Sequence, residues 1–252
     1  VSAAAAGPFA GKAVLVTGAS RGIGAATARV IHRDGGSVVV HYASNERAAK
    51  NLAEELGGTR VHLVQGDLTD PAATRDVWEE AVRVCGRIDV LVNNAGAWIA
   101  SPIDDESEWN EGWTRNLALN LTAPADLTRY AIRHFREHGG GAVVTVASRS
   151  SHRGDDADHL AYGAAKGAIL ALTRGVARGF AGDNILAYAV APGWVATDLA
   201  DDALVGGTAA ALPLGEATPP EDVAETIAFL ASGRARHATG ATVDITGADY
   251  VR

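Results

Sequence analysis

Short apolar runs recur along the chain at residues 12–17, 37–42, 60–68, 87–92, 141–148, 184–190 and 241–245. They are rich in valine, leucine and isoleucine on both pleat positions, so they read as strands covered on both faces. Longer helical stretches lie between most of them. One is alanine-rich and ends near Arg33, one runs over residues 108–137, and one carries Tyr162. Strands alternating with helices predict an α/β fold: a doubly wound parallel sheet of about seven strands with helices on both faces. In such a sheet, ligands sit at the carboxyl ends of the strands. Gly18, Asp67, Asn93, Ser148 and the pair Pro192-Gly193 fall on that edge.

The chain has 252 residues, 47% of them apolar, which suits one large domain over 1–252, with residues 1–10 as a flexible tail of mainly small residues. A net charge of −8 argues against nucleic acid and anionic membranes as partners. No window is apolar for the length of a membrane span, and the N-terminus is not signal-like, so a cytoplasmic location is expected. The lone Cys85 reads as inert, and the scattered histidines suggest no metal site.

The first strand runs into Gly18-Ala19-Ser20-Arg21-Gly22-Ile23-Gly24 and then a helix. Glycines let a backbone approach a pyrophosphate, and a helix N-terminus offers free N–H groups and a positive dipole end. The turn alone is equally a tight strand-to-helix connection. The second strand ends in Tyr42-Ala43-Ser44-Asn45, where an NAD-preferring fold usually places a carboxylate. No acid is present, and Arg21 and Arg47 are near. That favours a 2′-phosphate and hence NADP(H), with NAD(H) the weaker alternative. Solvated surface arginines would look the same.

Tyr162 and Lys166 lie four apart in a helical run, on one face. A phenol with a pKa of about 10 is a poor acid at neutral pH, and an adjacent ammonium lowers that value. The pair reads as a proton donor with its own tuner. Tyr-x-x-x-Lys is common by chance, and its weight comes from the other motifs.

Those motifs are Thr17-Gly18-x-x-x-Gly22-Ile23-Gly24, Asp67-Leu68, Asn93-Asn94-Ala95-Gly96, Asn120, Ser148, Tyr162-x-x-x-Lys166 and Pro192-Gly193-x-x-x-Thr197. In this order the chain resembles the short-chain dehydrogenases/reductases over nearly its whole length. Residues 212–215, 220–224 and 229–232 are similar to the 3-oxoacyl-(acyl carrier protein) reductase-like branch. The resemblance implies a Rossmann-type sheet, carbonyl reductase chemistry on a small-molecule carbonyl or alcohol, and a homotetramer. It implies that Tyr162 moves the proton, Lys166 tunes it and bonds the nicotinamide ribose, Ser148 holds the carbonyl oxygen, and Asn120 anchors a relay water. It also implies a cofactor site. Gly18, Ser20, Arg21, Gly22, Ile23 and Gly24 would hold the phosphates, with Tyr42 and Ser44 beside the adenosine ribose. Asp67, Leu68, Asn94, Ala95 and Gly96 would border the adenosine and ribose path. Pro192, Gly193, Val195 and Thr197 would meet the carboxamide end.

Three departures stand out. The family's usual serine-to-tyrosine interval falls on Arg149, whereas strand register favours Ser148, with Ser150 and Ser151 as rivals. The loop 152–159 is unusually charged, and the C-terminal 243–247 lacks the common Asp-Gly-Gly. Trp98, Ser150, Asp155, His159 and Trp194 are candidate substrate residues. For Trp98 and Trp194 packing is an equal reading; for Trp109 and Trp113 packing, and for His152 and His159 a solvated loop, is the plainer one. Asp155, Asp156 and Asp158 would disfavour an acidic carrier protein and favour a small neutral or cationic ketone; a solvated loop is the alternative. Residues 199–211 are expected to cover the substrate. Two rival functions remain: an NAD-dependent alcohol, sugar or hydroxysteroid dehydrogenase, and a silent nucleotide-binding protein. The second would usually have lost the tyrosine or lysine.

Overall fold

A computed structural model of the protein describes residues 7–197 and 209–252. Its seven strands are β1 (Ala13–Val16), β2 (Ser37–Tyr42), β3 (Val61–Gln65), β4 (Val90–Asn93), β5 (Gly141–Val146), β6 (Ile185–Pro192) and β7 (Thr242–Ile245). They form one sheet in the order β3-β2-β1-β4-β5-β6-β7. Every pairing is parallel. Val16 pairs with Val40 on one side and Val92 on the other, so β1 sits where the strand order reverses. That reversal opens a crevice at the carboxyl ends of β1 and β4.

Period-two alternation sorts the side chains. Val14, Val16, Val38, Val40, Val90 and Val92 face α1 (Gly22–Arg33), α2 (Glu46–Glu55) and α8 (Pro220–Ala231). Leu15, Val39, Leu91 and Val143 face α3 (Pro71–Cys85), α5 (Ala123–Glu137) and α7 (Leu160–Phe180). Both faces are dry, which explains why the strands read as unbroken apolar runs.

Helix ends follow local chemistry. Asp70 accepts from Ala72 N at 2.8 Å and Pro71 opens α3, which ends at left-handed Gly86. Asp105 caps α4 (Glu106–Leu117) through Glu108 N at 2.9 Å. The start of α1 differs: Arg21 precedes it with no side-chain cap, and its first turn holds no acid. Its leading N–H groups thus point at the crevice without a side-chain acceptor of their own.

Two expectations are corrected. Residues 108–137 are not one α-helix: α4 and α5 are joined by a π-helical turn, Ala118–Thr122. Pro124 lacks the N–H that an α-helix would send to the carbonyl of Asn120, so the α ladder cannot continue there. Residues 7–10, expected in a flexible tail, are instead packed. Phe9 is fully buried in the α1-side core, which fixes the segment from Gly7 on, and residues 1–6 lie outside the described part. Among the described residues, no helix is long and apolar enough to cross a membrane.

Candidate active site

A cleft of about 800 Å³ lies at the carboxyl edge, over the reversal. It brings together most of the residues singled out by sequence. Gly18, Ser20, Arg21, Gly22 and Ile23 line it from the first turn, and Tyr42, Ser44, Asp67 and Leu68 from the ends of β2 and β3. Asn94, Ala95, Gly96 and Trp98 follow β4; Ser148, Ser150 and Asp155 follow β5; Tyr162 and Lys166 come from α7. Pro192, Gly193, Trp194, Val195 and Thr197 close it from the end of β6. Gly24, Asn120 and His159 do not line it and stand behind it. Residues 198–208, most of the expected substrate cover, lie outside the described part.

At one end the glycine turn is a close-packed cradle. Gly18 and Gly22 have φ of +61° and +52°, which glycine adopts freely. A Cβ on Gly24 would stand 2.5 Å from Gly18 O and 2.6 Å from Asn94 Nδ2. Asn94 braces the turn by donating to Thr17 O at 2.8 Å and Gly18 O at 3.2 Å. The buried Thr17 hydroxyl accepts from Asn94 N and Ala95 N, both at 2.9 Å. His41 was not foreseen. It is the one imidazole in an otherwise apolar strand, a signal legible in Val38-Val39-Val40-His41. Its Nδ1 accepts from Gly18 N and its Nε2 donates to Gly66 O, each at 3.0 Å. That pattern demands the neutral ring, and burial pushes its pKa down to about 4. Asp67 accepts from Thr69 N and Oγ1, which holds its carboxylate below the usual range.

The other end is chemical. The Ser148 hydroxyl lies near the Tyr162 phenol, where it acts to lower the phenol's pKa. Ser148 Oγ also accepts from Ser150 N at 3.1 Å, so Ser150 lies one step back. Lys166 Nζ is buried and donates to Val146 O at 2.9 Å, lying 5.7 Å from the Tyr162 ring centroid. The expected lowering of the tyrosine pKa is absent. Burial, opposed by the nearby Ser148 hydroxyl and aided by Asp155, pushes Tyr162 up to about 12, and burial pulls Lys166 down to about 8. Desolvation is the largest cause for both groups. Asn120 is fully buried in the π turn. Its Nδ2 donates to Ala97 O at 2.9 Å and Asn116 Oδ1 at 3.2 Å.

Between these ends, Trp98 and Trp194 meet edge to face, with centroids 6.1 Å apart. His159 stacks on Trp98 at 3.7 Å and bonds Asp156 Oδ1 at 2.6 Å, so it is packed rather than solvated. Arg149 and Arg153 also line the cleft, beside Asp155 and Asp156. The mouth is therefore of mixed charge, not the acidic surface that the loop sequence suggests. Sequence reading weighed Arg149 only as a misplaced serine and so missed it as a cleft residue. Cys85 lies on the far side of the molecule's chemistry, its thiol pushed up to about 11 by burial.

A glycine cradle at an uncapped helix start, joined by one cleft to a Ser–Tyr–Lys cluster, defines a Rossmann-type oxidoreductase site. The chain belongs to the short-chain dehydrogenase/reductase family. The model described as enoyl-(acyl carrier protein) reductase matches residues 18–247. The chain is 38% identical over 250 residues to cis-4-hydroxycyclohexanecarboxylate dehydrogenase of Sinomonas cyclohexanicum, covering 95% of this chain and 96% of that one. Among solved structures it is similar to a short-chain dehydrogenase of Burkholderia cenocepacia J2315 in complex with NADP: TM-score 0.85, 31% identity, 95% and 98% of the two chains covered. It is also similar to 3-ketoacyl-(acyl-carrier-protein) reductase of Brucella melitensis complexed with NADH: TM-score 0.87, 28% identity, 96% and 99% covered.

Proposed function

We propose that the protein is an NADP(H)-dependent reductase or dehydrogenase that interconverts a small ketone or aldehyde with its alcohol. The observation that carries this reading is the joining of Ser148, Tyr162 and Lys166 to the glycine cradle in one cleft. The cradle suits a dinucleotide, since the Gly24 position has no room for a Cβ and α1 presents uncapped N–H groups to it. A bound nicotinamide dinucleotide would supply or accept the hydride.

The chain's own groups would do the rest. Tyr162, with its proton held firmly by burial, would deliver that proton to the carbonyl oxygen. The Ser148 hydroxyl, in the same cleft as the phenol, would hold the same oxygen. Lys166 would stabilise the phenolate that forms. The carbonyl of Asn120, which Pro124 cannot pair in α fashion, would suit a water that returns the proton from solvent.

The NADP(H) preference rests on the end of β2, where Ser44 and Asn45 stand in place of a carboxylate, and on Ser20 and Arg21 across the cleft. The NADP complex of the Burkholderia relative supports it, and the NADH complex of the Brucella relative keeps NAD(H) as the second reading. The hydroxycyclohexanecarboxylate dehydrogenase relative supports a small free ring ketone over a carrier-bound acyl group, as do the facing indoles of Trp98 and Trp194.

The test is a panel of cyclic ketones, aldehydes and 3-oxoacyl thioesters followed by loss of NADPH or NADH absorbance. NADPH should be used at least about tenfold better, roughly 1.4 kcal/mol, with Arg21→Ala shrinking the margin. Tyr162→Phe should lower turnover at least about a hundredfold while NADPH still binds. Equal or better use of NADH would overturn the cofactor assignment. A Tyr162→Phe variant with near-full turnover would overturn the chemistry.

A further inference from the structure

The charged loop after Ser148 and the altered C-terminus, two separate oddities in sequence, meet in space. Arg149 directly follows Ser148, and its N–H donates to Pro192 O at 2.9 Å. Its side chain is buried, forms an ion pair with Asp249, and lies over the Trp194 ring with Cζ 4.6 Å from the centroid. One turn on, His152 Nε2 is 3.4 Å from Asp244 Oδ1, and its ring stacks on Tyr250 at 6.1 Å and 11°. Arg252 Nε donates to the other oxygen of Asp244 at 2.8 Å. Arg149 and His152 of the loop thus each face an acid of the C-terminal segment.

The hook that delivers Asp249 is built for the purpose. Gly247 and Ala248 have φ of +58° and +65°, which turns the chain back on itself. Alanine takes that conformation only against a steric cost, so other contacts must hold it there. Asp249 N donates to Thr246 O at 3.1 Å, and Thr246 Oγ1 donates to Tyr250 O at 2.9 Å.

We propose that Asp249 is a positioning residue for the substrate wall: through Arg149 it holds Trp194 in place against Trp98 and couples the C-terminus to the segment that carries Ser148. This rests on the reductase reading above. Asp249 does not line the cleft; Arg149, Trp194 and Trp98 do. A guanidinium buried without its carboxylate is costly, so losing Asp249 drives Arg149 out toward water and uncovers the indole. The contacts above involve none of Gly18, Gly22 and Gly24, and they meet the expected dinucleotide path only at Pro192 and Gly193. The signature is therefore weaker ketone binding without weaker dinucleotide binding.

The experiment compares Asp249→Asn, Asp249→Glu and Arg149→Lys in the full chain. For Asp249→Asn and Arg149→Lys, KM for the best ketone of the panel should rise about tenfold, with kcat within about threefold. NADPH affinity by fluorescence titration should be unchanged, and Asp249→Glu should recover most of the loss. Tryptophan emission is read in parallel: Asp249→Asn should raise acrylamide quenching, and a Trp194→Phe background should abolish that rise. An unchanged KM with unchanged quenching overturns the proposal. So does a parallel fall in kcat, ketone affinity, NADPH affinity and Tm, which marks a merely structural pair. If Asp249→Asn fails to fold, the Asp249→Glu and Arg149→Lys pair carries the same comparison. If the unaltered protein reduces no carbonyl, the reductase reading fails, and the quenching comparison still judges the Asp249 contact on its own.

Discussion

Tyr162 and Lys166 show how far spacing reaches and where it stops. Four residues on a helix put both groups on the same side, as the sequence implied. Their protonation is set by burial, which spacing does not reveal. Lys166 Nζ bonds Val146 O, and the phenol shares the cleft with Ser148. The serine assignment can be tested directly. Ser148→Ala removes the hydroxyl beside the phenol, whereas Ser150→Ala leaves the backbone N–H that bonds Ser148 Oγ untouched. Ser148→Ala should cost at least about ten times more turnover than Ser150→Ala. The reverse order, measured by steady-state kinetics, would place the working serine elsewhere.

His41 carries a pH prediction. Its pKa falls from 6.5 to about 4 on folding because the buried ring must stay neutral. A depressed histidine contributes stability that is complete above the unfolded value. That stability declines as pH drops below about 6.5 and is lost as pH passes below about 4. The amount is on the order of 3 kcal/mol, since each pKa unit is worth about 1.4 kcal/mol. Urea midpoints between pH 7 and 4 should therefore fall more steeply for the natural protein than for His41→Asn, whose amide can still serve Gly18 N–H and Gly66 O. Parallel curves for the two proteins would show that the imidazole is not the titrating group.

At the scale of elements, the strands and most helices were legible because both faces of the sheet are dry and the turns carry their own chemistry. Asp70-Pro71 and Asp105 mark helix starts without help from the fold. The π turn was hidden, since Pro124 is also an ordinary helix-start residue and only its place after α4 makes it a break. The Arg149–Asp249 and His159–Trp98 contacts were out of reach, because they join residues distant in sequence. The β1–α1 junction was read correctly as a motif, and its geometry now makes a sharp comparison. Gly24→Ala places a Cβ 2.5 Å from Gly18 O, so the turn must open. NADPH affinity should fall at least about tenfold, with about 1–3 kcal/mol of stability lost to overpacking. Gly175→Ala in α7 meets nothing within 4 Å. It should leave affinity unchanged and raise stability by roughly 0.5–1 kcal/mol through helix propensity. Equal NADPH affinity in both variants, by fluorescence titration, would remove the cradle argument.

At the scale of the whole molecule, the sheet leaves β3 and β7 as its edge strands. Every residue of β7 is only half-buried, and an open parallel edge offers unpaired N–H and C=O groups to a second chain. Nearby in sequence, Val251 is 75% exposed, and Phe229 on α8 is 45% exposed. A second surface is offered by the long α4–α5 pair beside α7. Pairing of each surface with its own copy would close a tetramer with crossed two-fold axes, the state that the family resemblance implies. The net charge of −8 per chain opposes assembly, so association should tighten as salt screens it. Light scattering after gel filtration should give a tetramer at micromolar concentration, with low salt shifting it toward dimers. Val251→Glu should shift it the same way while far-UV CD stays unchanged, because that side chain is exposed in the single chain and its burial would come only from assembly. A natural protein that runs as a monomer at both salt concentrations would refute the tetramer. A tetramer indifferent to Val251→Glu would move the second interface away from the β7 edge.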